Sequence, residues 1–291
     1  MSVLIGDELV AIQKRLVDKF RPLKWRKFIT PNTSLSPFVD VIEHQKRVDF
    51  AEIRPIGPQN TVWPLPTEER TAMRTGLVEF GTGLRVMDDE LGRAAEAGLE
   101  SPAATRAAAN QKVTEQLLDR IAAVGYTDLG LYGLLNQPDV TPITINGNWD
   151  GSTADQILAD LNEVVDTLVD QVDGILTSTI QITLPRAALR IASRKIFQTN
   201  SPDTVLQVFL RQNPGVVIEE WSHTVTAGTN GRIAAWFTGD SDVAEMFLPR
   251  DLTFDTPIRI ARGYETAMFL KVGGVYSLYP QGICYADGPL S

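Results

Sequence analysis

Cysteine and histidine are nearly missing: 291 residues hold one cysteine, Cys284, and two histidines, His44 and His223. A lone cysteine excludes an intrachain disulfide and a zinc site built from cysteine pairs, which fits folding in a reducing cytoplasm. With so little histidine, nucleophilic catalysis has few bases to draw on. Ser222 precedes His223, but neighbours on a strand point to opposite faces and would not form a catalytic pair. No apolar run approaches the ~18 residues that span a bilayer, and no charged-then-apolar leader opens the chain, so a soluble protein without membrane contacts is expected. Gly81 and Gly83 lack the third glycine of a dinucleotide loop, and the phosphate-binding lysine loop is absent. Asn146, Asn148, Asp150 and Gly151 match the first half of a calcium loop. Its bidentate Glu position, however, is Ile157, so a turn capped by Asx side chains is expected. No catalytic residue, cofactor or metal is assigned.

What is present is ordinary in composition, 43% hydrophobic and 22% charged, as in globular proteins. The length suits two domains at most. The net charge of -9 disfavours sequence-specific nucleic-acid binding, because the surface as a whole repels phosphates. One stretch runs against that balance: Lys14, Arg15, Lys19, Arg21, Lys24, Arg26 and Lys27, diluted only by Asp7, Glu8 and Asp18. Such a basic arm on an acidic body seeks an acidic partner, either nucleic acid or a neighbouring subunit.

Periodicity divides the chain. Asp7 can cap a helix with Leu9, Ile12, Leu16 and Phe20 on one narrow stripe, closed by Pro22, and that stripe requires something to dock on. Strand character follows over Arg47 to Arg54 and, with a clear period of two, through Val78, Phe80, Thr82, Leu84 and Val86. Between these strands lie Pro55, Gly57, Pro58, Pro64 and Pro66, with Val62 and Trp63 among them. A long two-stranded arm with a Pro-rich tip results, and a lone hairpin is marginal in water. A short helix over Asp88 to Leu99 precedes a long one opened by Ser101 and Pro102 and ended by Gly125, with Val113, Leu117 and Ile121 in register.

Thr153 and Gln156 form a capping box before Ile157, Leu158, Leu161, Val164, Val165, Leu168, Val169 and Val172. Asp160, Glu163, Asp166, Asp170 and Asp173 are expected on that helix's solvated face. A strand over Thr179 to Leu184, helices opened by Pro185 and by Ser201 with Pro202, and strands over Val216 to Glu219 and Arg232 to Phe237 follow. Asn230 and Gly231 between the last two are a hairpin turn pair. The stretch from Thr253 to Asp287 is mostly strand.

Two segments resemble a known family. Gly130-Leu131-Tyr132-Gly133-Leu134-Leu135-Asn136-Gln137-Pro138-Asp139-Val140 looks like the turn that follows the long helix of many phage coat proteins and of the related encapsulins. Gly273-Gly274-Val275, then Tyr279-Pro280 and Tyr285-Ala286-Asp287-Gly288, is similar to the C-terminal strand of phage major capsid proteins of the Hong Kong ninety-seven type. The order of elements extends the resemblance over nearly the whole chain.

The resemblance implies an α+β phage major capsid fold with an N-terminal arm (1–36), an extended β-hairpin loop (37–85), a peripheral domain with a long spine helix (86–146 and 250–291) and an α/β axial domain (147–249). It further implies a virion coat protein, assembled in the host cytoplasm, that forms hexamers and pentamers of an icosahedral head around double-stranded DNA contacted non-specifically. A separate scaffolding protein, or none, and a portal protein would be its partners, with a decoration protein on the outside left open. Assembly contacts are then expected at Leu9, Ile12, Leu16, Phe20, Val62 and Trp63. Lys46 lies where some relatives crosslink, but no such role is assigned to it. An encapsulin-like compartment shell and, more remotely, an α/β enzyme are the alternatives.

Overall fold

The computed structural model describes residues 24–50, 67–98, 101–146, 148–172, 178–197 and 202–288, with 45–50 and 67–73 described by their backbone alone. In chain order the elements are α1 (Trp25–Phe28), β1 (Pro31–Asn32), β2 (Val41–Phe50), β3 (Thr67–Met87), α2 (Asp88–Glu96), α3 (Pro102–Val124), β4 (Gly125–Tyr126), β5 (Leu131–Tyr132), β6 (Ile143–Thr144), α4 (Ala154–Val172), β7 (Ile180–Leu184), α5 (Arg186–Arg194), α6 (Val205–Gln212), β8 (Val216–Glu220), β9 (Arg232–Phe237), β10 (Glu245–Phe247), β11 (Arg250–Phe254), β12 (Ile258–Ile260), β13 (Gly263–Gly273), β14 (Val275–Tyr276) and β15 (Ile283–Asp287).

The central sheet runs β6-β15-β9-β7-β8. Every residue of β7 and of β9 is buried. After Arg232, β9 reads as the continuous apolar run expected of an enclosed strand, whereas β7 alternates Ile, Gln, Ile, Thr, Leu and buries Gln181 and Thr183 all the same. Helix α4 packs on β9 and β15, and a 3₁₀ turn at Ser222–Val225 packs on β7 and β9. The capping box at the start of α4 forms as its sequence requires, with the Thr153 N–H donating to Gln156 Oε1 at 2.8 Å. Its buried face carries Ile157, Leu158, Leu161, Val164, Val165, Leu168 and Val172. Each such side chain contributes about 1.5–3 kcal/mol relative to exposure.

A second sheet runs β11-β13-β3-β2, with β12 also on β13. β3 is 21 residues long, about 70 Å at the usual rise of an extended strand. Its C-terminal half pairs with β13, from Leu77↔Gly273 to Met87↔Gly263. Its N-terminal half pairs with β2, from Thr67↔Phe50 to Gly76↔Val41. The partner changes at Gly76, so among the described residues the stretch Thr67–Gly76 has β2 alone beside it. A small third sheet, β1-β10-β14, ties the N-terminal segment down.

Several expectations need correction. In α3 the expected stripe holds at Leu117, which packs on the core, and at Ile121, which is buried, but Val113 is exposed and Thr114, Leu118 and Ala122 are buried instead, because β3 and the central core meet that side. Ser101 holds the N-cap position with Pro102 in the first turn, yet its hydroxyl makes no cap hydrogen bond. In α4, Val169 is exposed and Asp160, expected on the solvated face, is fully buried. The helix expected to open at Ser201 and Pro202 runs over Val205–Gln212 with Thr204 as its cap, the Thr204 hydroxyl accepting from Gln207 N; Ser201 lies outside the described residues. β8 and β9 are not a hairpin: β7 lies between them, parallel to β8 and antiparallel to β9. Asn230 and Gly231 do adopt positive φ of 65° and 108°, but the turn delivers the chain from the 3₁₀ segment into β9. Ser222 and His223 lie in that 3₁₀ turn and not on a strand.

Candidate assembly interface

All six side chains expected at assembly contacts, Leu9, Ile12, Leu16, Phe20, Val62 and Trp63, lie outside the described residues, as does Pro55 to Pro66. The structure describes the bases from which those two segments depart.

The N-terminal segment is anchored by α1. Trp25 is fully buried and donates Nε1–H to Glu115 Oε2 at 3.1 Å. Phe28 packs on Trp221, with ring centres 4.7 Å apart, and edge-on to Trp236. Arg26 pairs with Glu115 at 2.9 Å and Asp251 at 3.6 Å. Lys24 donates to the Glu220 carbonyl and Lys27 pairs with Glu219. Three of the seven basic residues of the expected arm are therefore held by carboxylates and a carbonyl of their own chain. Summed sequence charge missed this because Glu115, Glu219, Glu220 and Asp251 are far away in sequence.

At the root of the β2–β3 arm a small cluster of Leu77, Phe247 and Tyr276 forms a separate core, with Leu35, Val39, Ile42 and Leu278 against it. His44 stacks on Tyr276 at 4.2 Å, and its Nε2 has no hydrogen-bond partner. Burial holds its pKa below the ordinary histidine value, with Glu245 opposing. The buried Lys271 reaches Asp40 at 2.6 Å. Immediately beside this root Phe38 is 91% exposed and Val41 55% exposed. On the body half of β3, spine-helix side chains cover the edge: Arg106 donates to the Arg85 carbonyl and Asn110 to the Gly83 carbonyl. Unpaired edges recruit other chains unless so covered.

The two family-like motifs meet in space. The C-terminal carbonyls of α3, which no helix turn can satisfy, are taken up by the first motif. Leu134 N–H donates to Ala122 and Leu135 N–H to Ala123, both at 2.8 Å, and Asn136 Nδ2 donates to Val124 at 2.7 Å. Gln137 Nε2 donates to Val275 of the second motif at 2.9 Å, and the Tyr285 hydroxyl accepts from Gln137 N and donates to the Leu134 carbonyl. Arg232 lies over the Tyr285 ring at 4.4 Å, bonding Asp287 and the Leu135 carbonyl. A Cβ at Gly133 would fall 2.4 Å from the backbone of Ala123, and one at Gly274 2.5 Å from the Tyr132 carbonyl, which requires glycine at both.

The remaining candidates for chemistry are bound into the scaffold. His223 Nε2 meets Asp119 at 2.9 Å, and Asp119 also accepts from Trp221 Nε1, while Ser222 is exposed. Burial pushes the Cys284 thiol up to about 12, leaving almost no thiolate at neutral pH. In the calcium-like loop, Asn146 donates through Nδ2 to Asp160 at 3.1 Å and Trp149 Nε1 donates to the same carboxylate at 2.9 Å. Asn148 takes a φ of +43°, and its carbonyl accepts from Gly151 and Ser152. Asp160 is thus the acceptor that orders this turn, a role its helical spacing did not reveal.

Comparison with known proteins gives one family: that described as Major capsid protein matches residues 67–288. No curated protein sequence matches the chain. Among solved structures, the capsid of Myoviridae phage XM1 is similar at a TM-score of 0.82 and 16% identity, covering 94% of this chain and 95% of that one. Mycobacterium phage Che8 gives 0.61 at 12% identity over 94% and 95%. The capsid of the native GTA particle gives 0.61 at 11% identity over 95% and 93%.

Proposed function

The chain belongs to the major capsid protein family, a coat protein of the phage virion, and from that premise we propose that it works by self-association, without catalysis. Copies close into hexamers and pentamers of an icosahedral head that encloses double-stranded DNA. Separate scaffolding and portal proteins act with it. The chain divides into an arm (1–36), an extended loop (37–85), a peripheral domain (86–146 and 250–291) and an axial domain (147–249), with β15 returning into the axial sheet beside β9.

One observation carries this reading: among the described residues, the arm half of β3 from Thr67 to Gly76 has only β2 for a partner. A two-stranded ribbon of this length does not stabilise itself in water, so the loop lies over a neighbouring subunit, with Val62 and Trp63 in the contact. The basic side chains of the N-terminal arm that lie before Lys24 secure the inner surface, together with the stripe Leu9, Ile12, Leu16 and Phe20. Shell contacts of this kind are individually weak and multiplied by symmetry.

Deleting Pro55 to Pro66 tests the reading. The shortened chain should stay soluble and folded by circular dichroism yet yield no large particles in light scattering or negative-stain microscopy. Normal particles from the deletion would sink it.

A further inference from the structure

Two helices of the axial region carry opposite, unanswered charge. On α4 the exposed residues Asp155, Glu163, Asp166 and Asp170 follow one line along the helix. On α5 the exposed Arg186, Arg190 and Arg194 do the same at i, i+4 and i+8, with Ala188 and Ala192 buried behind them. Among the described residues none of the four acids forms an ion pair, nor do Arg190 and Arg194, and Arg186 reaches Glu220 only at 3.7 Å. Lys195, at the end of α5, is spent on the carbonyls of Trp149, Asp150 and Ser152.

The two stripes lie over different parts of the sheet. α4 packs on β9 and β15, α5 packs on the edge strand β8, and α6 packs against both helices. Asn213 at the end of α6 bonds Asn162 of α4 at 3.1 Å, so α6 occupies the flank of α4 next to the acidic line. A shallow cavity of about 450 Å³ lies along α5, lined by Ala187, Arg190, Ile191, Arg194 and Lys195 together with Asp150.

We propose that the acidic stripe of α4 in one copy docks on the basic stripe of α5 in the next, around the rotation axis of the ring. The segment Glu163 to Asp170 spans about 10 Å, close to the about 12 Å from Arg186 to Arg194 at the helical rise, and Asp155 extends the acidic line beyond it. A second copy of this chain supplies both an acid line for the arginines and an arginine line for the acids. A contact between two unlike patches is head-to-tail and closes into a ring when the rotation permits. Opposite charge also steers subunits into register and rejects the reversed orientation. This inference rests on the shell reading and adds to it which faces meet.

The test is a charge swap in the full chain. Glu163→Lys with Asp166→Lys and Asp170→Lys, and separately Arg190→Glu with Arg194→Glu, should each lower the assembled fraction about tenfold in sedimentation, with unchanged circular dichroism. All five changes together should restore particles, because the pairing is regenerated with its signs exchanged. Particles at the wild-type level from either one-sided variant overturn the proposal, and so does failure of the combined variant to assemble while it remains folded. A wild-type chain that forms no particles, either by itself or with its scaffolding protein supplied, removes the shell reading itself. Wild-type particles with indifferent one-sided variants remove only the helix pairing.

Discussion

β3 is one strand with two different surroundings, and its halves are built to different ends. From Leu77 to Met87 it has β13 along one edge and the spine-helix side chains Arg106 and Asn110 at its carbonyls, and its Leu77 and Val86 are buried. From Thr67 to Gly76 it has, among the described residues, β2 alone. The first half is stabilised by its own subunit, whereas the second is left with an open edge and a stability to be completed by another molecule. Disturbing the body should therefore cost folding, and disturbing the arm should cost assembly with little loss of folding.

The strongest way to break that contrast is at the clasp that fixes the body. Gly133→Ala forces a Cβ to within 2.4 Å of the Ala123 backbone and should cost about 3 kcal/mol or more, read as a lowered urea midpoint or insoluble expression. A Gly133→Ala chain of wild-type stability would show that the clasp yields. Tyr285→Phe is milder: it strips Gln137 N and the Leu134 carbonyl of a buried partner and should cost about 1–3 kcal/mol by the same measurement.

At the root of the arm the lever is pH. His44 in the folded chain binds a proton less readily than in the unfolded chain, because burial disfavours its charged form. Stability from this site is full above the ordinary value of 6.5 and is lost as pH falls below it towards the lowered folded value. His44→Phe keeps the stacking on Tyr276 and should flatten that part of the pH dependence of thermal unfolding; an unchanged profile would remove His44 as its source. Smallest of all, Phe38→Ser at the foot of the arm should change the stability of the unassembled subunit by no more than about 0.5 kcal/mol, since Phe38 is 91% exposed. A larger loss would mean that the foot of the arm belongs to the body.

Much of the fold was legible where the cause is local. The spine helix runs from Pro102 to Val124 as Ser101-Pro102 and Gly125 demand, β9 matches Arg232 to Phe237, and the Thr153–Gln156 box opens α4. The two motifs that carried the family resemblance could be read, but their mutual contact could not. Gln137 and Val275 stand far apart in the chain, and only the fold sets the amide of one at 2.9 Å from the carbonyl of the other. Charge misled in two places for the same reason. Asp160 fell on the polar side of a helical wheel, yet Trp149 and Asn146 satisfy it in the interior. Lys24, Arg26 and Lys27 read as an arm for an external partner, yet carboxylates and a carbonyl of the same chain hold them.

By itself the sequence determined the long helix between Ser101-Pro102 and Gly125, the capping box that opens α4, the period-two strand and the Pro-rich interruption after β2. Each of these follows from interactions between residues within a turn or two of one another. Tertiary structure alone decided which strands pair, which face of α3 is buried, which carboxylate goes inside and where β3 exchanges β13 for β2. Those outcomes depend on groups brought together across the chain, and hydrogen bonding and desolvation are settled only where the groups finally meet.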